Sequence, residues 1–257
     1  MNLRKQFGDR KELLDYLRKE FPEAGGGMSP IAGGHGPADR LLKSFEPSRY
    51  AATRNFLTGS VSRLSPYLRH GVLTLREVLD DLIARFPNAR LYKFIQELAW
   101  RDYWQRVYLS VGDGIWQDRE PSKTGAIYSG ELPPDLGRTG LNCMDNFAAE
   151  LESTGYLHNH ARMWVAAYFI HWRRVAWQTG ARWFLRHLVD GDPASNNLSW
   201  QWVGSTFSSR PYIFNRENLE RYTEGVYCRT CACRENCPFD KSYEDLAGEL
   251  FTIGAGR

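Results

Sequence analysis

Two acids, two adjacent amides and two tryptophans crowd into the thirteen residues from Asp190 to Trp202, D-G-D-P-A-S-N-N-L-S-W-Q-W. Asp and Asn are poor interior helix residues, because their short polar side chains compete for backbone hydrogen bonds. Two indoles this close must stack on or pack against something large. Carboxylates and amides beside indoles suit a polycyclic ring with hydrogen-bonding edges, such as a flavin. The plain alternative is a turn between two helices with Trp as core filling, and three further segments weigh against it. In Q-E-L-A-W-R-D-Y-W, Glu97, Trp100, Arg101 and Trp104 follow i, i+3, i+4, i+7 spacing and share one helical face. Acid, indole, guanidinium and indole make a bad core stripe but a good platform for a flat, hydrogen-bonding ligand, such as a base taken out of a duplex. In V-S-R-L-S-P-Y-L, Ser62, Arg63 and Ser65 precede a helix opening near Pro66, a place suited to a diphosphate, although taken alone the segment reads more simply as an N-cap with a surface Arg. In T-G-Y-L-H-N-H-A-R-M, Arg162 sits in an otherwise apolar helix and should be buried. A buried Arg needs an acid, and Asp190 or Asp192 is the natural partner.

Elements must hold these residues in place. Residues 3–21 read as a short amphipathic helix, and the Gly- and Pro-rich stretch 24–37 as a linker or surface-hugging loop. Helical spacing then recurs over 39–45, 47–56, 65–70, 74–86, 90–110, 141–153, 156–179, 180–189 and 193–203, with almost no two-residue alternation. That predicts an all-α domain. The stretch 112–140 reads as a long ordered loop, 204–240 as mostly irregular, and 241–251 as a terminal helix. Hydrophobic content of 42% and charged content of 25% are ordinary for a soluble domain, whereas an aromatic share of 14% with nine Trp suggests rings handling rings. A net charge of +3 permits nucleic-acid binding without demanding it. No apolar run reaches membrane length and the N-terminus lacks a signal-peptide core, which predicts a cytoplasmic protein.

Cys228, Cys231, Cys233 and Cys237 fall within ten residues, with Cys143 far upstream. In a cytosolic chain such spacing reads as ligands rather than disulfides, for zinc or an iron–sulfur cluster. A local zinc site using all four is possible, though the single residue between Cys231 and Cys233 makes it cramped.

Taken in order, G-G-H-G-P-A-D-R-L-L, S-R-L-S-P-Y-L-R-H-G-V-L, E-L-A-W-R-D, T-G-Y-L-H-N-H-A-R-M and D-G-D-P-A-S-N-N-L-S-W-Q-W resemble the flavin-binding helical domain of the photolyase/cryptochrome family over residues 33–215. The resemblance implies FAD, with Tyr50, Ser62, Arg63, Leu64 and Ser65 among its contacts, Arg162 paired to Asp190 beside the ring, Asp192 at the ring's polar edge and Asn196 at flavin N5. It implies a lesion pocket of Glu97, Trp100, Asn159, Met163 and Trp202, in which the indoles stack and Glu97 and Asn159 bond base edges. The implied activity is light-driven repair of cyclobutane pyrimidine dimers in single- or double-stranded DNA by electron transfer from reduced FAD, by a monomer. A cryptochrome-like photoreceptor without repair is the rival. Two departures stand out. The α/β antenna domain expected before this region is missing, replaced by residues 1–32, so no antenna chromophore is expected. Trp200 and Trp177 match the inner positions of the family's electron-transfer relay, but its outer position falls near Thr124, with Trp116 and Tyr128 as nearby substitutes. The cysteines resemble those of the iron–sulfur bacterial branch, which implies a [4Fe–4S] cluster on Cys143, Cys228, Cys231 and Cys237, with Cys233 spare and residues 216–257 forming a tail packed on the domain.

Overall fold

Polar caps write several of the helix starts. Asp9 opens α1 (Arg10–Glu20), Thr74 and Glu77 form a reciprocal capping box on α5 (Leu75–Arg85), and Asp192 opens α10 (Pro193–Val203). Asn215 and Ser242 do the same for α11 (Arg216–Thr223) and α12 (Tyr243–Leu250). The remaining helices are α2 (His35–Ser44), α3 (Tyr50–Thr53), α4 (Ser65–Arg69), α6 (Tyr92–Val111), α7 (Asn142–Thr154), α8 (Asn159–Ala167) and α9 (Trp177–His187). These elements belong to a computed structural model that describes residues 3–23, 25–87 and 91–251. Ala24 in the predicted loop, the first residue of the helix expected over 90–110, and the chain ends of the outer boundaries lie outside them. Among the described residues there is no strand, only an isolated bridge between Ser129 and Val175. The all-α expectation holds.

Two apolar clusters organise the helices. The smaller gathers Ala38 and Leu42 of α2, Tyr67 of α4, Val78 and Leu82 of α5 and Phe94 of α6. The larger gathers α7 to α10 around Phe147, Trp164, Phe169 and Trp200, and the residues beyond 215 add Leu219, Cys228 and Phe239 to it. Helix α6 belongs to both neighbourhoods: Phe94 near its start is buried in the first cluster, while the helix packs along α10.

Some bounds move: α1 begins at Arg10 rather than residue 3, α2 at His35 inside the stretch read as a linker, and 47–56 is a 3-10 turn followed by the short α3. Two further elements differ more. The single helix predicted over 156–179 is broken. After α8 the chain makes a π-helical turn, Tyr168–Trp172, and Arg174 then takes a left-handed φ of 52°. Ser129 bonds across this gap in both directions, its N–H to the Arg174 carbonyl and its carbonyl to the Ala176 N–H. A partner 45 residues upstream in sequence therefore ends the helix where apolar periodicity continues. The region 204–240, read as irregular, contains α11; it buries only Leu219 and Thr223, too few apolar positions to print a period.

Candidate functional site

The sequence places chemistry-bearing residues on five helices, and the fold turns them onto one cavity of about 510 Å³. Its wall takes Ser65 from α4, Lys93, Glu97, Trp100, Arg101 and Trp104 from α6, Asn159, Arg162 and Met163 from α8, and Phe184 from α9. Asp192, Ser195, Asn196, Trp200 and Trp202 come from α10 and its cap. The volume is that of a site for a cofactor-sized ligand. The face predicted on α6 thus exists as predicted: all four of Glu97, Trp100, Arg101 and Trp104 line the same space.

Charge in the cavity is tightly held. Arg162 Nη2 donates to both carboxylate oxygens of Asp190, at 3.0 and 2.8 Å, and Nε donates to the Leu157 carbonyl at 2.7 Å. The pairing with Asp190 is the one the sequence offered, but burial is uneven: the Asp190 side chain is 2% exposed and that of Arg162, which faces the cavity, 22%. Asp192 is both a wall residue and the cap of α10. It accepts from Ser195 Oγ and from Gln105 Nε2, each at 2.7 Å, and more weakly from the Ala194 and Ser195 amides. Burial alone would push its carboxyl up, but these bonds and the nearby Arg101 outweigh it and hold it below the usual range. Asn196 donates both amide protons away from the cavity, to the Ala181 carbonyl at 3.0 Å and to Asn197 Oδ1 at 3.1 Å. Trp200 is buried with an indole N–H that has no partner among the described residues.

Aromatic rings stand around these polar groups. Trp100 is 42% exposed and Trp202 41%, large values for indoles that line a cavity. Trp100 stacks on Trp104 with centroids 5.0 Å apart, and Trp202 packs on Tyr212 at 5.6 Å. Glu97 lies between Arg54 Nη1 and Lys93 Nζ, each 3.0 Å from Oε1. Asn159 Nδ2 points at Met163 Sδ at 3.9 Å, so these two i, i+4 residues meet as the spacing required.

Five sequence-predicted residues do not line this cavity. Tyr50 packs with Phe45 and Phe94, and burial, followed by Glu97, pushes its hydroxyl up to about 12. Leu64 is core, 1% exposed. Ser62 turns its hydroxyl to the Leu64 amide, and α4 opens at Ser65 without a side-chain cap. Arg63 holds a left-handed φ of 52°, a strained conformation for a non-glycine residue, and its guanidinium faces one ring shared with Arg162, that of Tyr156. Trp177 is buried outside the cavity. It stacks on Trp116 at 6.3 Å with an interplanar angle of 5°, and its indole N–H donates to Asp118 Oδ1 at 2.7 Å. Thr124, at the expected outer relay position, is fully buried and bonds Tyr128. Sequence reasoning missed Arg54, Lys93, Gln105 and Tyr156; only Lys93, i−4 from Glu97, left a local signal.

A second, much smaller cavity is lined by Cys143, Cys228, Cys231 and Cys237 together with Leu141, Arg216, Leu219, Tyr227, Arg234 and Phe239. Cys233 is outside it and contacts the Gly140 carbonyl. Burial, then the neighbouring thiols, push the Cys143 thiol up, and burial takes Cys228 to about 11. Among the described residues no group of three His, Cys, Asp or Glu stands close enough for a single metal ion.

Comparison with known proteins points one way. The family profile described as the FAD binding domain of DNA photolyase matches residues 94–229, just over half of the chain. A deoxyribodipyrimidine photo-lyase of Alkalihalophilus pseudofirmus is 33% identical over 210 residues, which are 75% of this chain and 43% of that one. The enzyme of the same name from Escherichia coli is 31% identical over 186 residues, 65% of this chain and 38% of that one. The chain therefore spans about two fifths of the length of these relatives. Among solved structures, a Synechocystis cryptochrome superposes with a TM-score of 0.69 at 23% identity, covering 83% of this chain and 49% of that one. An archaeal photolyase from Sulfolobus tokodaii with two FAD molecules gives 0.64 at 25% identity, covering 87% and 51%.

Proposed function

Since the chain belongs to the photolyase/cryptochrome family through its FAD-binding domain, we propose that it binds FAD in the 510 Å³ cavity and repairs cyclobutane pyrimidine dimers in DNA under blue or near-UV light. One observation carries this reading. A single cavity joins the residues suited to a flavin (Arg162, Asp190, Asp192, Asn196) to the residues suited to an extruded base (Glu97, Trp100, Asn159, Met163, Trp202). A photoreceptor that signals without repair has no need of the second set.

The residues present fit the cofactor. The unpartnered Trp200 indole N–H, the Asn196 carbonyl oxygen and the Arg162–Asp190 pair put a donor, an acceptor and a fixed dipole on one wall. FAD, when bound, supplies light absorption and the transferable electron. The chain supplies position and field. Trp100 and Trp202 offer stacking surface to a base removed from the duplex, each such contact worth about 1–3 kcal/mol. Asn159 brings an amide to the base edges, and Glu97 brings acceptor oxygens steadied by Arg54 and Lys93. Asp192, locked by Gln105 and Ser195, keeps a carboxylate at the cavity floor.

We infer in addition that Cys143, Cys228, Cys231 and Cys237 hold a [4Fe–4S] cluster. Four thiols share one cavity beside Arg216 and Arg234, whose charge suits bound thiolates; Cys233 does not line it, although its Sγ meets the same Gly140 carbonyl as that of Cys231. Such a group would tie α7 to the segment after α11 and stabilise the fold.

The deciding experiment is illumination of an oligonucleotide carrying one cyclobutane thymine dimer, with anaerobically reduced protein and a dark control. Repair confined to the light supports the reading. FAD bound and reducible but no repair overturns it, in favour of a photoreceptor or of another lesion.

A further inference from the structure

Residues one apart on a helix diverge by about 100° and do not ordinarily meet. Asn196 and Asn197 of α10 nevertheless bond side chain to side chain, Asn196 Nδ2 to Asn197 Oδ1 at 3.1 Å. The second proton of the same amide goes to the Ala181 carbonyl of α9 at 3.0 Å. A backbone carbonyl only accepts, so the group facing it must be the NH2 of Asn196. Asn197 Oδ1 takes a bond from the same NH2, so turning the Asn196 amide over would break two bonds rather than one. Both donors of Asn196 are consumed by the protein, and what remains for the cavity, which Asn196 lines and Asn197 does not, is a carbonyl oxygen. Asn197 itself is fully buried and its own Nδ2 has no partner among the described residues. An unmade bond at a buried amide costs roughly 1–3 kcal/mol, more than one made bond typically returns. Leu or Ala at 197 would avoid that cost, so the asparagine is a stability liability.

We propose that Asn197 is a positioning residue: it fixes the amide of Asn196 so that the cavity meets an acceptor and never a donor. The proposal rests on the reading that the cavity holds FAD with Asn196 beside the ring. An acceptor there favours a ring nitrogen that carries a proton, which is the reduced flavin, and penalises the oxidised ring, whose nitrogen can only accept. A freely rotating amide would serve either state. Asn197 thereby biases the cofactor toward the reduced side without touching it.

The test is a double-mutant cycle read as the midpoint potential of bound flavin, with melting temperature as the fold control. Asn197→Leu should lower the ratio of reduced to oxidised flavin two- to tenfold at fixed potential, the worth of one net hydrogen bond. That is a drop of about 10–30 mV for a two-electron couple. In the Asn196→Ala background, where no amide is left to orient, Asn197→Leu should leave the potential unchanged. Asn197→Ala should repeat the pattern if Leu proves too bulky to fold. An equal shift in both backgrounds overturns the proposal, because Asn197 would then act on the fold or the flavin directly. No shift from Asn197→Leu, with Asn196→Ala effective, overturns it while sparing the reading of the site. An inert Asn196→Ala overturns both.

Discussion

Trp100 offers the cleanest separation between holding the cofactor and holding the lesion. It is 42% exposed and stacks on Trp104 rather than on the Arg162–Asp190 wall. Trp100→Ala should therefore weaken binding of a dimer-containing oligonucleotide about tenfold or more while FAD content, read by absorbance, stays at one per chain. Loss of FAD instead would put that face of α6 on the flavin. Arg162 and Asp190 behave differently, because they form a close ion pair whose carboxylate is almost fully buried. Asp190→Leu strands a guanidinium in the cavity wall and should cost about 3 kcal/mol in a urea titration, more than the ion pair itself contributes. These residues were legible because the chemistry compresses them into short motifs. Arg54 and Gln105 were not. Arg54 meets Glu97 from 43 positions away and Gln105 meets Asp192 from 87, and no local spacing encodes such meetings.

At the scale of elements, the contact between α9 and α10 depends on a missing side chain. A Cβ at Gly180 would stand 2.2 Å from the Trp200 ring, inside any allowed contact. Helix propensity alone favours Gly180→Ala by up to about 1 kcal/mol. Overpacking opposes it by about 1–3 kcal/mol or more, and the ring displaced is part of the cavity wall. Packing wins: Gly180→Ala should lower the melting temperature and weaken FAD binding together, and a rise in melting temperature would show that Trp200 can move freely. The same asymmetry explains what could be read of the elements. Helices that bury an apolar face, such as α5 and α7, announced themselves by period. The break between α8 and α9 did not, since it is enforced by Ser129, a residue in the long loop with no periodic signal of its own. Helix α11 escaped notice because its start is marked by a lone cap, Asn215, and it buries only Leu219 and Thr223.

The whole molecule couples its tail and its buried histidines to its stability. Replacing Cys231 by alanine removes one of four cavity-lining thiols, and the expected result is iron content at background with the rest of the chain still binding FAD. Full iron in that variant would transfer the ligand role to Cys233. Acid should act elsewhere. Burial lowers His158 and His171 from the ordinary 6.5 to about 4, since neither site offers the charged ring solvent or an acid. The unfolded chain therefore binds more protons than the folded one between pH 6.5 and pH 4. Stability contributed by these two rings is complete above pH 6.5, declines as pH falls through that window, and is gone near pH 4. The loss is on the order of 3 kcal/mol per ring at most. A carboxylate held low, such as Asp192, loses its share only at lower pH, so the two effects separate on the pH axis. Melting temperatures taken at intervals from pH 7.5 to 4.5 should fall most steeply below pH 6.5. His158→Gln keeps an acceptor for the His160 amide, which His158 Nδ1 now receives at 3.1 Å, but cannot titrate. That variant should flatten the acid limb in part, the rest lying with His171 and with His160, which burial also lowers; an unchanged limb would move the acid sensitivity to those two rings.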